Sequence, residues 1–157
     1  MVKQKGAVRN DYTANNNPNV LVQKIAADPN ALGYFGYGYY YPNKNQVNLL
    51  AIKNGDDSVL PSRHNIKWDQ YRPLSRPLFI YVNIKASQDK PLLREFLHFY
   101  LDNAPEFVSY SGYIPLPKEG YRLSTQHFDT GKTGTVFEGT SPVNLTMDEI
   151  LKKEAAF

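Results

Sequence analysis

Apolar side chains recur at three- and four-residue steps through one long stretch: Leu92, Leu93, Phe96, Leu97, Tyr100 and Leu101 form a single stripe behind Pro91. That period predicts an amphipathic helix over about Lys90–Asn103, opened by proline in its first turn and broken at Ala104-Pro105. A shorter helix from Pro105 ends at Gly112, which suits the left-handed position just beyond a helix. The run Asn15-Asn16-Asn17-Pro18-Asn19 reads as a helix entry, because an Asn side chain can accept an orphan backbone N–H and proline fits the first position. The helix it opens covers Pro18–Ala27, with Val22, Ile25 and Ala26 inward, and stops before Asp28-Pro29. A further helix is predicted over Pro117–Phe128. Thr146-Met147-Asp148-Glu149 forms a capping box for a last one ending near Glu154.

Strand signals lie between these helices. Arg76–Asn83, centred on Leu78-Phe79-Ile80-Tyr81-Val82, is the strongest, being β-branched and aromatic with proline only at its entry. Alternation of Phe35, Tyr37, Tyr39 and Tyr41 against Gly36 and Gly38 predicts another strand. That signal is firmest over Leu32–Phe35; beyond it a short helical turn is the alternative. Val47–Lys53 reads as a strand closed by the turn Asn54-Gly55-Asp56-Asp57. Residues 1–14 are polar and without period, Pro61–Arg72 is a loop with a helical turn capped by Ser62, and Gly131–Thr140 is a loop. Strands alternating with helices make the chain α/β.

Length and charge narrow the function classes. The 157 residues are enough for one domain with a real core. Lys and Arg exceed Asp and Glu by 18 to 15, and the excess is scattered, so no nucleic-acid arm or polybasic membrane patch is expected. With no cysteine, disulfides, thiolate catalysis and Cys-based metal sites are excluded. Leu78–Val82 is the longest clean apolar run, far short of the roughly 20 residues of a transmembrane span. Met1–Gly6 is basic but lacks the apolar stretch of a secretory signal peptide.

Catalytic spacings are equally sparse. Gly131-Lys132-Thr133 lacks the earlier glycine of a phosphate loop, position 126 being Gln. His64, His98 and His127 show no metal-ligand spacing, and Ser75, Ser111 and Ser124 lack a nucleophile elbow. No metal or cofactor is expected, and a histidine-dependent hydrolase is the weaker alternative. Aromatic residues reach 13% and cluster at Tyr34–Tyr41. They suit either packing between sheet and helices, the preferred reading, or a stacking surface in a secreted aromatic-rich binding module.

Several motifs stand in a fixed order: Asp11-Tyr12-Thr13-Ala14, Asn19-Val20-Leu21-Val22-Gln23, Asn30-Ala31-Leu32-Gly33-Tyr34-Phe35-Gly36-Tyr37-Gly38-Tyr39-Tyr40, Pro61-Ser62, Tyr71-Arg72-Pro73-Leu74-Ser75-Arg76-Pro77-Leu78-Phe79-Ile80-Tyr81-Val82 and Gly112-Tyr113-Ile114-Pro115-Leu116-Pro117. Together they resemble the periplasmic phosphate-binding protein family (PstS-type), the solute receptors of high-affinity phosphate ABC importers. Gly131–Phe137 resembles the cyanobacterial-type branch, and the likeness runs from about Arg9 to Leu151.

The resemblance implies the C-terminal portion of a type II periplasmic-binding-protein fold. Residues 1–72 would finish the second lobe; residues 73–157 would hold the crossover strand and the end of the first. It implies a periplasmic, non-catalytic receptor, with inorganic phosphate bound through the full-length protein and permease and ATPase subunits as partners. The family's first lobe, its leader peptide and its Arg…Ser-Gly-Thr phosphate motif have no counterpart in these motifs, so tight phosphate binding by this portion alone is not expected. The nearest implied phosphate contacts are Asp11, Thr13 and Asn15, which lead into a helix N-terminus where N–H dipoles favour an anion. Family members often carry Ser-Glu-Asp-Asp-Asn where this chain has Asn15-Asn16-Asn17-Pro18-Asn19, and helix capping is the competing role.

Overall fold

The structure, a computed structural model, describes residues 10–137 and 145–157. The basic start at Met1–Gly6 and the last part of the Gly131–Thr140 loop fall outside the described residues. Backbone contacts divide the chain into two units, Met1–Asn48 and Leu49–Phe157.

In the first unit, helix α1 spans Pro18–Ala27, the range the asparagines and proline predict. Asn17 Oδ1 accepts the Asn19 N–H at 3.1 Å, and Val22 is fully buried. Ile25 is half-buried, whereas Ala26 is exposed. The helix stops at Asp28, whose carboxylate turns the chain by accepting the Asn30 N–H at 2.8 Å. No strand follows. Residues 31–36 are irregular, then Tyr37–Tyr40 form a single helical turn, α2, which runs into a 3₁₀ turn at Tyr41–Asn43. The alternation therefore misleads over Leu32–Phe35, and the helical-turn alternative holds beyond it. The turn is locally satisfied: Gly36 C=O accepts the Tyr39 N–H at 3.0 Å, and Asn43 Nδ2 donates to Tyr39 C=O at 2.8 Å. The backbone approaches α1 at Gly33, where a Cβ would overlap the Ile25 side chain.

The second unit opens with a hairpin. Strand β1, Ile52–Asn54, pairs antiparallel with β2, Asp57–Val59, with Ile52 opposite Val59. Gly55, at φ +66°, supplies the positive φ that a two-residue hairpin turn demands. Only the end of the expected Val47–Lys53 strand joins this ladder. Helix α3, Arg63–Lys67, follows, with Ser62 Oγ accepting the Asn65 N–H at 3.0 Å. The strongest expectation fails next: Arg76–Asn83 has no ladder partner among the described residues, and this hairpin is the whole described sheet.

Helices dominate the remainder. Helix α4, Ile84–Asp89, was not expected; Asn83 Oδ1 caps it by accepting the Ala86 N–H at 3.0 Å. Helix α5 runs unbroken over Pro91–Tyr110, straight through Pro105, so the two predicted helices are one. Proline there leaves the Leu101 carbonyl without its usual N–H, but Leu97, Leu101 and Ala104 are all buried and anchor the two turns that lead into it. The helix ends where Gly112 predicts: at φ +78° it donates to Ser109 C=O at 3.1 Å while Tyr113 N–H reaches Val108 C=O at 3.0 Å. Helix α6, Lys118–Asp129, packs on α5, and α7, Met147–Ala156, packs on α6. Their core holds Leu97, Leu101, Leu123, Met147 and Ile150, whereas Leu92 and Phe96 of the predicted stripe stay exposed.

The capping box on α7 forms in full. Thr146 Oγ1 accepts the Glu149 N–H at 3.3 Å, and Glu149 Oε2 accepts the Thr146 N–H at 2.7 Å. The Thr146 N–H, and after it the Thr146 hydroxyl donating to Oε2 at 2.8 Å, hold the Glu149 carboxyl below the usual range. Thr146→Ala is expected to cost about 1 kcal/mol, read as faster amide exchange in the first turn of α7, while Thr146→Ser keeps the exchange rate.

Candidate functional site

The three residues implied as phosphate contacts lie on one exposed segment before α1. Asn15 Oδ1 accepts the Asn17 N–H at 2.8 Å, so its acceptor is committed to a turn that orients the cap. At the helix start, Pro18 has no N–H, and both the Asn19 and Val20 N–H groups bond to Asn17. No acid occupies the first turn, and Lys24 lies in the last. The positive end of the helix dipole is thus unneutralised by any carboxylate of its own first turn. Asp11 and Thr13 are exposed beside it in sequence. Along α1 runs a shallow cavity of about 380 Å³, bordered by Asn19, Val20, Gln23 and Lys24.

Histidines in the second unit meet single carboxylates at separate places. His98 Nε2 and Arg94 Nη2 both approach Asp129 Oδ1, at 3.1 and 2.9 Å, with Arg94 and His98 against the Phe128 ring. His127 Nδ1 lies 3.4 Å from Glu154 Oε2, and its ring stands edge-on to Phe157. Burial raises the Glu154 carboxyl, with the nearby His127 opposing. A groove of about 710 Å³ between α5 and α6 exposes Asp102, Lys118, Arg122 and Asp129, charges of both signs. The Ser75 hydroxyl lies on Asp69 and that of Ser124 on the Gly120 carbonyl. Among the described residues no three His, Asp or Glu side chains gather to hold a metal ion, and no helix is long and apolar enough to cross a membrane.

The aromatic cluster is wetter than the packing reading expects. Tyr34, Tyr39 and Tyr41 are exposed, while Tyr37 and Tyr40 are half-buried with ring centroids 5.7 Å apart. In this unit no sheet forms among the described residues for the rings to cover, and Lys44 Nζ lies 5.5 Å from the Tyr41 ring centroid.

Sequence reasoning missed Asp69. It is only 4% exposed, has φ +54°, and receives the Ser75 hydroxyl at 2.6 Å. No periodic pattern marks such a residue; the sole local signal is that Asp tolerates the left-handed region at a helix end better than most side chains. Burial pushes its carboxyl above the ordinary value of 3.8, against the opposing pull of the Ser75 hydroxyl and the Arg72 charge. Tyr71, two residues on, donates its hydroxyl to Leu50 C=O at 3.1 Å and ties this turn to the start of the unit.

The family described as PBP superfamily domain matches residues 4–104. Protein SphX of Synechocystis is 46% identical over all 157 residues, which cover 47% of its length. Protein SphX of Synechococcus elongatus is 40% identical over 154 residues, 98% of this chain and 45% of that protein. The phosphate-binding protein PstS of Staphylococcus haemolyticus is 35% identical over 109 residues, 69% of this chain and 34% of that protein. The chain therefore spans less than half the length of these relatives. No solved structure matches significantly.

The Asp69 geometry carries a signed pH dependence. A carboxyl raised by folding binds its proton more readily folded than unfolded, so this group adds stability as pH falls from its raised value towards 3.8 and withdraws it at neutral pH. Asp69→Asn keeps an acceptor for Ser75 and tolerates positive φ; relative to it, the wild-type unfolding midpoint should rise on acidification through that window. Asp69→Ala should cost about 1–3 kcal/mol at neutral pH, by losing the bond and the tolerant side chain together.

Proposed function

Because this chain belongs to the PBP superfamily, we propose that it serves as part of the phosphate-binding component of an ABC-type phosphate importer. The observation that carries the reading is similarity along the whole chain to SphX proteins, joined by similarity over 109 residues to a relative named for phosphate binding. Its role is to bind and hand over solute, without catalysis, on the periplasmic side of the membrane. Its partners are inorganic phosphate and the importer's permease and ATPase subunits. Residues 1–72 belong to the second lobe; residues 73–157 cross back through the proline-punctuated stretch at Pro73 and Pro77 and complete the first. Asp11, Thr13 and Asn15 are the phosphate contacts of this portion. Their exposure and their place before a helix start with no acid in its first turn support that assignment.

These residues by themselves form a weak anion site. Asn17 already takes two N–H groups of the α1 start, and the adjoining cavity is shallow. Calorimetric titration of the 157 residues with phosphate is expected to give a Kd weaker than about 100 μM, or about −5.5 kcal/mol. Micromolar binding would overturn this. In a receptor assembled from this chain and the part of the Synechocystis relative that it does not match, Asp11→Ala or Thr13→Ala should weaken phosphate binding by about tenfold, the equivalent of about 1.4 kcal/mol.

A second reading, an aromatic-rich binding surface, is favoured by the exposure of Tyr34, Tyr39 and Tyr41. It predicts that oligosaccharide shifts the ring-proton NMR signals of these three tyrosines. Unmoved signals at millimolar sugar would dismiss it.

A further inference from the structure

Helices α5, α6 and α7 are fastened in series by two ties of the same make. At α5–α6, His98 on one helix meets Asp129 on the next, and the His98 ring stands edge-on to Phe128 with 5.4 Å between centroids. At α6–α7, His127 meets Glu154, and its ring stands edge-on to Phe157 at 5.7 Å. Each phenyl ring also meets a cation: Arg94 lies 5.3 Å from the centre of Phe128, and Lys132 Nζ 4.6 Å from that of Phe157. The ties differ in two respects. Asp129 has a second partner, Arg94 at 2.9 Å, whose charge does not titrate, whereas among the described residues Glu154 pairs with His127 alone. The α6–α7 pair is also drier, its side chains 21% and 24% exposed against 34% and 44% for His98 and Asp129. Solvent screens it less, so the charge of His127 weighs more.

We infer that the α6–α7 contact is a pH-sensitive latch: protonated His127 holds Glu154 and keeps α7 seated, and loss of that proton loosens α7 while the α5–α6 contact stays closed. Imidazole is the side chain that changes charge between about pH 5 and 8. A cationic ring attracts the carboxylate 3.4 Å away, and a neutral ring has no charge with which to do so. The contact is therefore at full strength while His127 carries its proton and weakens as pH rises through the imidazole range. Burial lifts the Glu154 carboxyl and the His127 charge opposes this, so loss of that charge leaves a half-buried carboxylate uncompensated. Few other charges face the pair. Lys132, from the loop after α6, keeps its charge on the Phe157 ring throughout, and Lys153, beside Glu154 in sequence, is exposed. From α5, Arg94 and His98 come to Asp129, two positions beyond His127, and Asp102 borders the groove along α6. What the latch covers is apolar: Leu123 of α6 and Met147 and Ile150 of α7 are buried.

The test follows amide exchange along the 157-residue chain at about pH 6 and about pH 8.5, with each amide expressed as protection relative to the unstructured rate at that pH. Protection in α7 is expected to fall about fivefold across this range, while protection in α5 changes by less than about twofold. His127→Gln, neutral at every pH, should show at the lower pH the reduced α7 protection that the wild-type chain shows at the higher one, with no further response. His98→Gln should leave the α7 response in place, since Asp129 keeps Arg94. Unchanged circular dichroism reports that each variant folds, and the wild-type comparison stands without either. Three outcomes would each overturn the inference: wild-type α7 protection that is flat with pH, α5 and α7 losing protection together as in general unfolding, or a pH response that survives His127→Gln. Phosphate enters none of these measurements, so the latch stands or falls independently of the receptor reading.

Discussion

An extended backbone cannot satisfy its own N–H and C=O groups, whereas a helix can, and this asymmetry governs the whole chain. The helices α1, α5, α6 and α7 close their hydrogen bonds internally and need neighbours only for their apolar faces. The only ladder among the described residues is the hairpin of β1 and β2, where Gly55 returns the strand upon itself within the unit. The other strand signals, at Leu32–Phe35 and Arg76–Asn83, have no such local partner. At 78–82 the consequence is a run of large apolar side chains left in water.

A second constraint acts at the turn after α3. Asp69 is buried and left-handed, a position where a carboxyl is costly unless something bonds to it. The Ser75 hydroxyl at 2.6 Å and the Tyr71 side chain reaching Leu50 C=O bind this turn to the chain on either side. Ser75 stands six positions after Asp69, so the bond closes a short loop of the chain. The perturbed Asp69 carboxyl reflects burial, opposed by the Ser75 hydroxyl and the Arg72 charge.

The phosphate reading gains from a family and loses nothing to competing chemistry, but it draws little from local geometry. An anion receptor needs several oriented donors converging on one point. The segment from Asp11 to Asn19 offers one helix start, and its first donors are taken by Asn17. Two of the three histidines meet one carboxylate each, His98 at Asp129 and His127 at Glu154, which are the surroundings of helix-to-helix ties. The exposure of Leu92 and Phe96 on α5 and of the 78–82 run fits the same view of a chain whose apolar surface exceeds what its own residues can cover.

What depended on neighbours in sequence was legible in the sequence. Asn17 before Pro18, Ser62 before α3, Thr146 with Glu149, and Gly112 after α5 all act within a few residues of themselves, so their caps and stops could be read directly. The ordered motifs likewise pointed to the superfamily without coordinates. Tertiary structure decided the rest. Burial of Leu97, Leu101 and Ala104 carried α5 into and through Pro105, because packing of the preceding turns can outweigh one missing hydrogen bond. It also buried Asp69, since burial depends on what the chain folds against rather than on the local string. Whether an apolar run becomes a strand is settled by a partner distant in sequence, which no local pattern contains.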